Sequence, residues 1–270
     1  MFHYKILSMD LQLENKIVIV SGGAKGIGLG IVKQLAAEKA VPIFIGRNEK
    51  DNIAAIEELK EKNLVAHHIV AELTDPEECK KAIDEAVKKF GRIDGLVNNA
   101  GVNDGVGLEN GNYESFIKSL HRNVVHYYLL AHYSLPHLKK TKGPIVNITS
   151  KTAETGQGGT SAYAAANGGR NALTREWAVE LLKYEIRVNA ISVAESWTPL
   201  YANWLSTLPD PEKTLKKITA NIPLQNRMTT VEEIANMAVF LLSSASSHTT
   251  GQIIHVDGGY VHLDRALANA

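Results

Sequence analysis

Lys16-Ile17-Val18-Ile19-Val20-Ser21-Gly22-Gly23-Ala24-Lys25-Gly26-Ile27-Gly28 is the stretch that decides the fold. The apolar run Lys16–Val20 reads as a buried strand, and the amphipathic pattern over Ile27–Lys39 reads as a helix. The residues between are small enough for a sharp turn that brings the backbone close to an anion. The free N–H groups and partial positive charge of the following helix then face that anion. Glycine spacing alone is a weak signal. Its position between a first strand and a first helix makes the turn a phosphate cradle, with Gly22, Gly26 and Gly28 at its corners and Lys25 and Ile27 beside them.

The same alternation runs outward from this unit. Strands are expected at Val41–Ile45, Leu64–Val70, Ile93–Val97, Ile145–Ile148, Ile186–Ile191 and Gln252–Val256. Helices are expected at Asp51–Lys62, Pro76–Phe90, roughly Tyr113–Lys140, Ser161–Tyr184 and Val231–Leu242, the second of them started by Thr74 or Asp75. Nearly continuous apolar strands point to burial on both faces. The fold class is therefore α/β, a doubly wound Rossmann-type parallel sheet of about seven strands with helices on both faces. Residues 1–270 read as one dinucleotide-binding domain, with 1–10 as a loose extension. Trp197 to Asn221 breaks the alternation and carries Pro199, Pro209 and Pro211, so residues 195–222 are expected to form a substrate lid.

Composition narrows the partners. Lys+Arg and Asp+Glu each total 29 in 270 residues, so neither nucleic acid nor an anionic membrane surface is expected. No apolar run approaches the ~18 residues of a membrane span, and no secretory signal is visible. The single cysteine, Cys79, excludes an intrachain disulfide and suits a reducing, cytoplasmic location. The ten histidines, His67-His68 and His121/His126/His132 among them, show no metal-ligand spacing, so no metal site is expected.

Ser150 closes the apolar run Pro144–Thr149, and Tyr163 follows in Tyr163-Ala164-Ala165-Ala166-Asn167. With the glycine turn and Asn98-Asn99-Ala100-Gly101, this resembles the short-chain dehydrogenase/reductase family over about Lys16 to Asp264. The resemblance implies that Tyr163 transfers a proton and Ser150 hydrogen-bonds the substrate oxygen. It implies that Asn123 completes a proton relay through a backbone carbonyl and water. The family has a lysine four residues after the tyrosine, on the same helix face; here that position holds Asn167. The lysine lowers the tyrosine pKa from about 10 and holds the nicotinamide ribose. Asn167 can keep a ribose bond but supplies no charge, so a severe defect is expected. Lys151 is adjacent to Ser150, but strand alternation points it away from the missing charge.

By the same resemblance Asn99, Ala100 and Gly101 border the adenosine ribose, Glu72 the adenine, and Val193 and Thr198 the nicotinamide end. Arg47, at the end of the second strand, and Lys25 suit a 2′-phosphate, with no competing acid at that strand end. They favour NADP, with NAD as the alternative; each can also stand as a solvated surface charge.

On the substrate side Glu195, Trp197, Gln157 and Lys151 are the candidate contacts. A carboxylate at a pocket edge suits a substrate with several hydroxyls, and the Asn103-Asp104 pair also argues against a wholly apolar one. Asn98–Asp104, Ser150–Thr152, Thr155–Gly158, Leu173–Trp177, Thr198–Tyr201 and Asp257–Leu267 resemble the family's L-fucose and aldose dehydrogenases. These oxidise an anomeric hydroxyl to a lactone. A hydroxysteroid or alicyclic alcohol dehydrogenase and a nucleotide-binding pseudoenzyme stand as alternatives. Family members are usually tetramers, and Ala162, Ala164–Ala166, Gly168 and Gly169 permit close helix packing.

Overall fold

Side chains along the first strand, β1 (Ile17–Ser21), alternate between two apolar layers. In the computed structural model, which describes residues 10–264, Ile17 and Ile19 enter one layer and Val18 and Val20 the other. Six more strands extend the sheet: β2 (Val41–Gly46), β3 (His67–Val70), β4 (Gly95–Asn98), β5 (Ile145–Ser150), β6 (Val188–Val193) and β7 (Ile253–Val256). All pair in parallel, in the order β3-β2-β1-β4-β5-β6-β7. The order reverses at β1, between β2 and β4, which is where ligands bind in doubly wound sheets.

The helices are α1 (Gly26–Ala37), α2 (Glu49–Glu61), α3 (Pro76–Phe90), α4 (Tyr113–Leu120), α5 (His126–Thr141), α6 (Ser161–Glu180), α7 (Pro199–Ser206), α8 (Pro211–Thr219) and α9 (Val231–Leu242). One layer holds Ile31, Leu35, Ala55, Leu59, Ile234 and Val239 from α1, α2 and α9. The other holds Ile83, Tyr127, Leu130, Leu138 and Trp177 from α3, α5 and α6. Local chemistry sets the sharpest helix ends. Asp75 accepts from the N–H groups of Glu77 and Glu78 at 2.8 and 3.3 Å, Pro76 opens α3, and Gly91 closes it at φ 75°. A Thr230–Glu233 capping box starts α9.

Several expected bounds are revised: β3 begins at His67, β4 at Gly95, and α6 ends at Glu180. The region from Tyr113 to Lys140 is not continuous: a π-helical turn at His121–Val125 separates α4 from α5. There Asn123 Nδ2 donates to the Ser119 carbonyl at 2.9 Å, the acceptor a regular helix would reserve for its own N–H. The ends of β5 and β6 also run further than expected, to Ser150 and Val193, which pair in register. Segment 195–222 holds α7 and α8, and its start is pinned by the Thr229 N–H donating to the Glu195 carbonyl at 3.0 Å.

Among the described residues no helix is long and apolar enough to cross a membrane.

Candidate functional site

The turn between β1 and α1 is a cradle that leaves no space for a side chain at Gly22 or Gly28. Gly22 and Gly26 take φ 67° and 55°, which L side chains disfavour. A Cβ at Gly28 would fall 2.1 Å from the Gly22 carbonyl oxygen and 2.6 Å from Asn99 Nδ2. Asn99 Nδ2 donates to the carbonyls of Ser21 and Gly22 at 2.9 and 3.1 Å, while Ser21 Oγ accepts from the N–H groups of Asn99 and Ala100. The loop after β4 thus buttresses the turn. No side chain caps α1 at Lys25, and no acid stands in its first turn, so its N–H groups face outward. Thr198 closes the opposite wall: a Cβ at Gly26 would meet its Cγ2 at 3.4 Å. Its Oγ1 caps α7 by accepting from the Tyr201 N–H at 3.2 Å. Bare N–H groups and a close-approach backbone fit the pyrophosphate of a dinucleotide.

Beyond the turn lies an open cleft lined by Arg47, Asn48, Glu49, Lys50 and Glu72. Arg47 reaches Glu72 at 3.5 Å, and Lys25 pairs with Asp51 at 2.8 Å. Asp51, in the first turn of α2, is an acid that the strand end does not reveal. Burial raises the Glu72 pKa, but hydrogen bonds from Thr74 and the charge of Arg47 outweigh it and hold the carboxyl below its ordinary range.

On the other side of the switch point, Ser150 ends β5, and its Oγ accepts from the Thr152 N–H at 3.3 Å. Tyr163 is half-buried in the first turn of α6. The short turn Lys151–Ala153 packs against α6. Asn167 is fully buried. Its Nδ2 donates to the Tyr163 carbonyl at 2.9 Å and to Thr152 Oγ1 at 3.4 Å, and its Oδ1 accepts from Arg170 Nη1 at 2.9 Å. The ribose bond expected of Asn167 is therefore not available: its amide is spent inside the protein.

Sequence reading missed Arg170. It is 2% exposed. Nε donates to the Asn123 carbonyl at 2.6 Å, Nη1 to the Ile148 carbonyl at 3.2 Å, and Nη2 to Asn123 Oδ1 at 3.4 Å. The guanidinium lies 4.3 Å from the centre of the Tyr127 ring. Its one sequence signal is its place seven residues, two helical turns, after Tyr163. The carbonyl of Asn123, the residue expected to complete a proton relay, is thus held by an arginine.

Lys151 turns toward the segment after β6. Its ammonium pairs with the Glu195 carboxylate and lies 4.1 Å over the Tyr260 ring. Tyr201 donates to Glu195 as well; burial, and then the Glu195 charge, raise its phenol pKa and keep it a donor. Trp197 is half-exposed beside Tyr201, with ring centres 6.4 Å apart, and Tyr201 meets Trp204 at 5.2 Å. Gln157 stands exposed on the loop before α6. Asp104 turns inward, bonded by Ser119 Oγ at 2.7 Å and paired with Arg122 at 3.7 Å, so it does not serve as the pocket polarity expected of it. Val193 is buried at the end of β6.

One cluster had no sequence signal. Glu154, His255 and His262 bring their ligand atoms within 4.8 Å of one another. His255 Nε2 lies 3.0 Å from Glu154 Oε1, and His255 Nδ1 lies 3.3 Å from His262 Nε2. The two nitrogens of one ring face different partners, so the three form a hydrogen-bonded chain rather than converging on one point.

A family model described as enoyl-(acyl carrier protein) reductase matches residues 22–261. L-fucose dehydrogenase of Bos taurus is 34% identical over 265 residues, covering 98% of this chain and 96% of that protein. The 3-oxoacyl-[acyl-carrier-protein] reductase FabG of Thermotoga maritima is 33% identical over 255 residues, covering 93% of this chain and 100% of that protein. Among solved structures, Cj0485 dehydrogenase is 47% identical with a TM-score of 0.90, covering 96% of this chain and 99% of that one. With the parallel sheet and the glycine turn at its switch point, these matches place the chain in the short-chain dehydrogenase/reductase family, as an oxidoreductase acting on alcohol groups, a family that uses NAD(P).

Proposed function

We propose that the protein oxidises the anomeric hydroxyl of L-fucose or a related aldose to a lactone, with NADP as the preferred hydride acceptor, in the cytoplasm. The observation that carries the substrate class is the polar group made by Lys151, Glu195 and Tyr201 beside Ser150. It offers a carboxylate acceptor, an ammonium donor and a phenol in a partly buried wall. Such a wall favours a polyhydroxylated ring over a smooth apolar one, because the ammonium and carboxylate keep donor and acceptor positions, beyond those spent on each other, that an apolar substrate would leave unmade. Similarity to L-fucose dehydrogenases over nearly the whole chain supports the same class.

Ser150 Oγ orients the substrate hydroxyl, and Tyr163 as phenolate takes its proton. When bound, the nicotinamide accepts the hydride from the same carbon, leaving a carbonyl. The glycine cradle and the α1 N-terminus hold the pyrophosphate, and Arg47 beside the open cleft supports NADP over NAD. Segment 195–222 acts as the lid, and Trp197 covers the substrate. Residues 1–270 act as one domain. By likeness to the family's usual assembly the chain forms a tetramer; exposed Tyr128 on α5, Val179 on α6 and Leu182 just beyond α6 supply apolar surface for it. Asn167 taken alone implies a rate loss of about 10²–10⁴.

The test is reduction of NADP and NAD by the purified protein with L-fucose, other aldoses, and alicyclic or sterol alcohols. Turnover of L-fucose or a related aldose, lost in Tyr163→Phe with the fold intact, is expected. Oxidation of an alicyclic alcohol but of no sugar overturns the substrate class. Tight cofactor binding without turnover of any alcohol favours a binding protein.

A further inference from the structure

After β7 the backbone doubles back on itself. Gly258 and Gly259 take φ 64° and 83°, and the buried Asp257 carboxylate accepts from the N–H groups of Gly259 and Val261 at 2.8 and 2.9 Å. This turn returns His262 to His255, seven residues earlier on β7. The two rings stand edge to face with centres 4.3 Å apart, and His255 Nδ1 lies 3.3 Å from His262 Nε2. Tyr260, in the middle of the same turn, lies over the Lys151 ammonium. Neither the spacing of these histidines nor the place of Glu154, 101 residues before His255, announces the cluster in the sequence.

Glu154 decides which nitrogen of His255 is free. Both of its carboxylate oxygens lie by His255 Nε2, at 3.0 and 3.1 Å. An ionised carboxylate only accepts, so the His255 proton sits on Nε2 and Nδ1 turns a lone pair toward His262. Asn171 Nδ2, from α6, donates to Glu154 Oε1 at 3.4 Å and steadies the carboxylate. His262 is exposed, so its ring can carry its proton on Nδ1 and leave Nε2 bare. Two lone pairs then meet across 3.3 Å. Two nitrogens each about 2.0–2.1 Å from one tetrahedral ion stand roughly 3.3 Å apart.

We propose that His255 Nδ1 and His262 Nε2 bind one divalent transition-metal ion of the zinc class, with Glu154 as the carboxylate that orients His255 from its far nitrogen. A carboxylate behind a ligating imidazole fixes the ring and raises its basicity. Imidazole ligands suit zinc, nickel and copper, whereas magnesium and calcium ask for oxygen. Glu154 stays on the other side of the His255 ring, so the remaining coordination positions go to water. The ion closes the 255–262 turn, and through Tyr260 it steadies the Lys151 side chain. The site does not depend on which alcohol the protein oxidises.

Calorimetric titration of the chelator-treated protein, in its native assembly, with zinc chloride tests this. One saturable zinc ion per chain is expected; nickel chloride should bind as well, and magnesium and calcium chloride should not. His255→Gln and His262→Gln are each expected to abolish binding, and Glu154→Gln to weaken it about 10–100-fold. His67→Gln with His68→Gln is expected to leave it unchanged. X-ray absorption at the zinc edge should show two imidazole nitrogens at about 2.0–2.1 Å. Amide hydrogen exchange across residues 257–262 should slow when zinc is added. His262 is exposed, so His262→Gln carries the test should His255→Gln not fold. Absence of a saturable equivalent overturns the proposal. So does an equivalent that survives in folded His262→Gln, one that magnesium fills equally, or a zinc spectrum without two imidazoles. Unchanged exchange with zinc bound overturns the closing of the turn, and unchanged affinity in Glu154→Gln overturns the role given to Glu154.

Discussion

The Lys151 ammonium and the Glu195 carboxylate, 44 residues apart in the chain, pair beyond the ends of β5 and β6 with side chains only 9% and 17% exposed. Removing one partner leaves a nearly buried charge unpaired. Glu195→Gln is expected to destabilise the protein by roughly 3–5 kcal/mol, whereas Lys151→Met with Glu195→Leu together should cost less than either change alone. Denaturant midpoints of the four variants, Glu195→Gln, each single apolar change and the double, check this. In the sugar assay Glu195→Gln should also raise KM. An unchanged KM would remove Glu195 from the substrate wall.

Arg47 is largely exposed and only loosely paired with Glu72, so it is free to meet an added phosphate. Arg47→Ala is expected to weaken NADP binding by about tenfold or more, the worth of one charge-assisted hydrogen bond, and to leave NAD nearly unchanged. Calorimetric titration with both cofactors measures the difference. Equal losses for the two would show that Arg47 does not read the 2′-phosphate.

His126 is 1% exposed, and its folded pKa is lowered from 6.5 to about 3, chiefly by burial and then by the charge of Arg170. Below pH 6.5 the unfolded chain takes up a proton that the folded chain refuses. Stability from this group is therefore complete above pH 6.5 and is lost as pH falls from there toward 3. Between pH 7 and 5 the loss should be about 2 kcal/mol. Urea midpoints at the two pH values, compared with those of His126→Gln, check the sign: the variant should lose less on acidification.

Much of the fold was legible because its determinants are local. Strand β1, the glycine turn and the start of α1 follow from thirteen consecutive residues. Helices α3 and α9 begin and end where the periodicity and the capping residues Asp75 and Thr230 put them. The π turn was not legible, since α4 and α5 carry one helical pattern. What divides them is the Asn123 side chain, which bonds Ser119 behind it and accepts the Val102 N–H across the sheet edge.

By itself, then, the sequence determined a doubly wound parallel sheet, a phosphate cradle at its switch point, and a tyrosine on α6 without a lysine one turn later. Those features depend on neighbours within a turn or a strand, where side-chain period and backbone chemistry suffice. Only the tertiary structure decided what the missing lysine leaves behind. It turned Asn167 inward, brought Arg170 against the Asn123 carbonyl 47 residues away, and joined Lys151 to Glu195. Which charge meets which partner across such separations is set by the packing of α5, α6 and the ends of β5 and β6, and no periodicity along the chain encodes it.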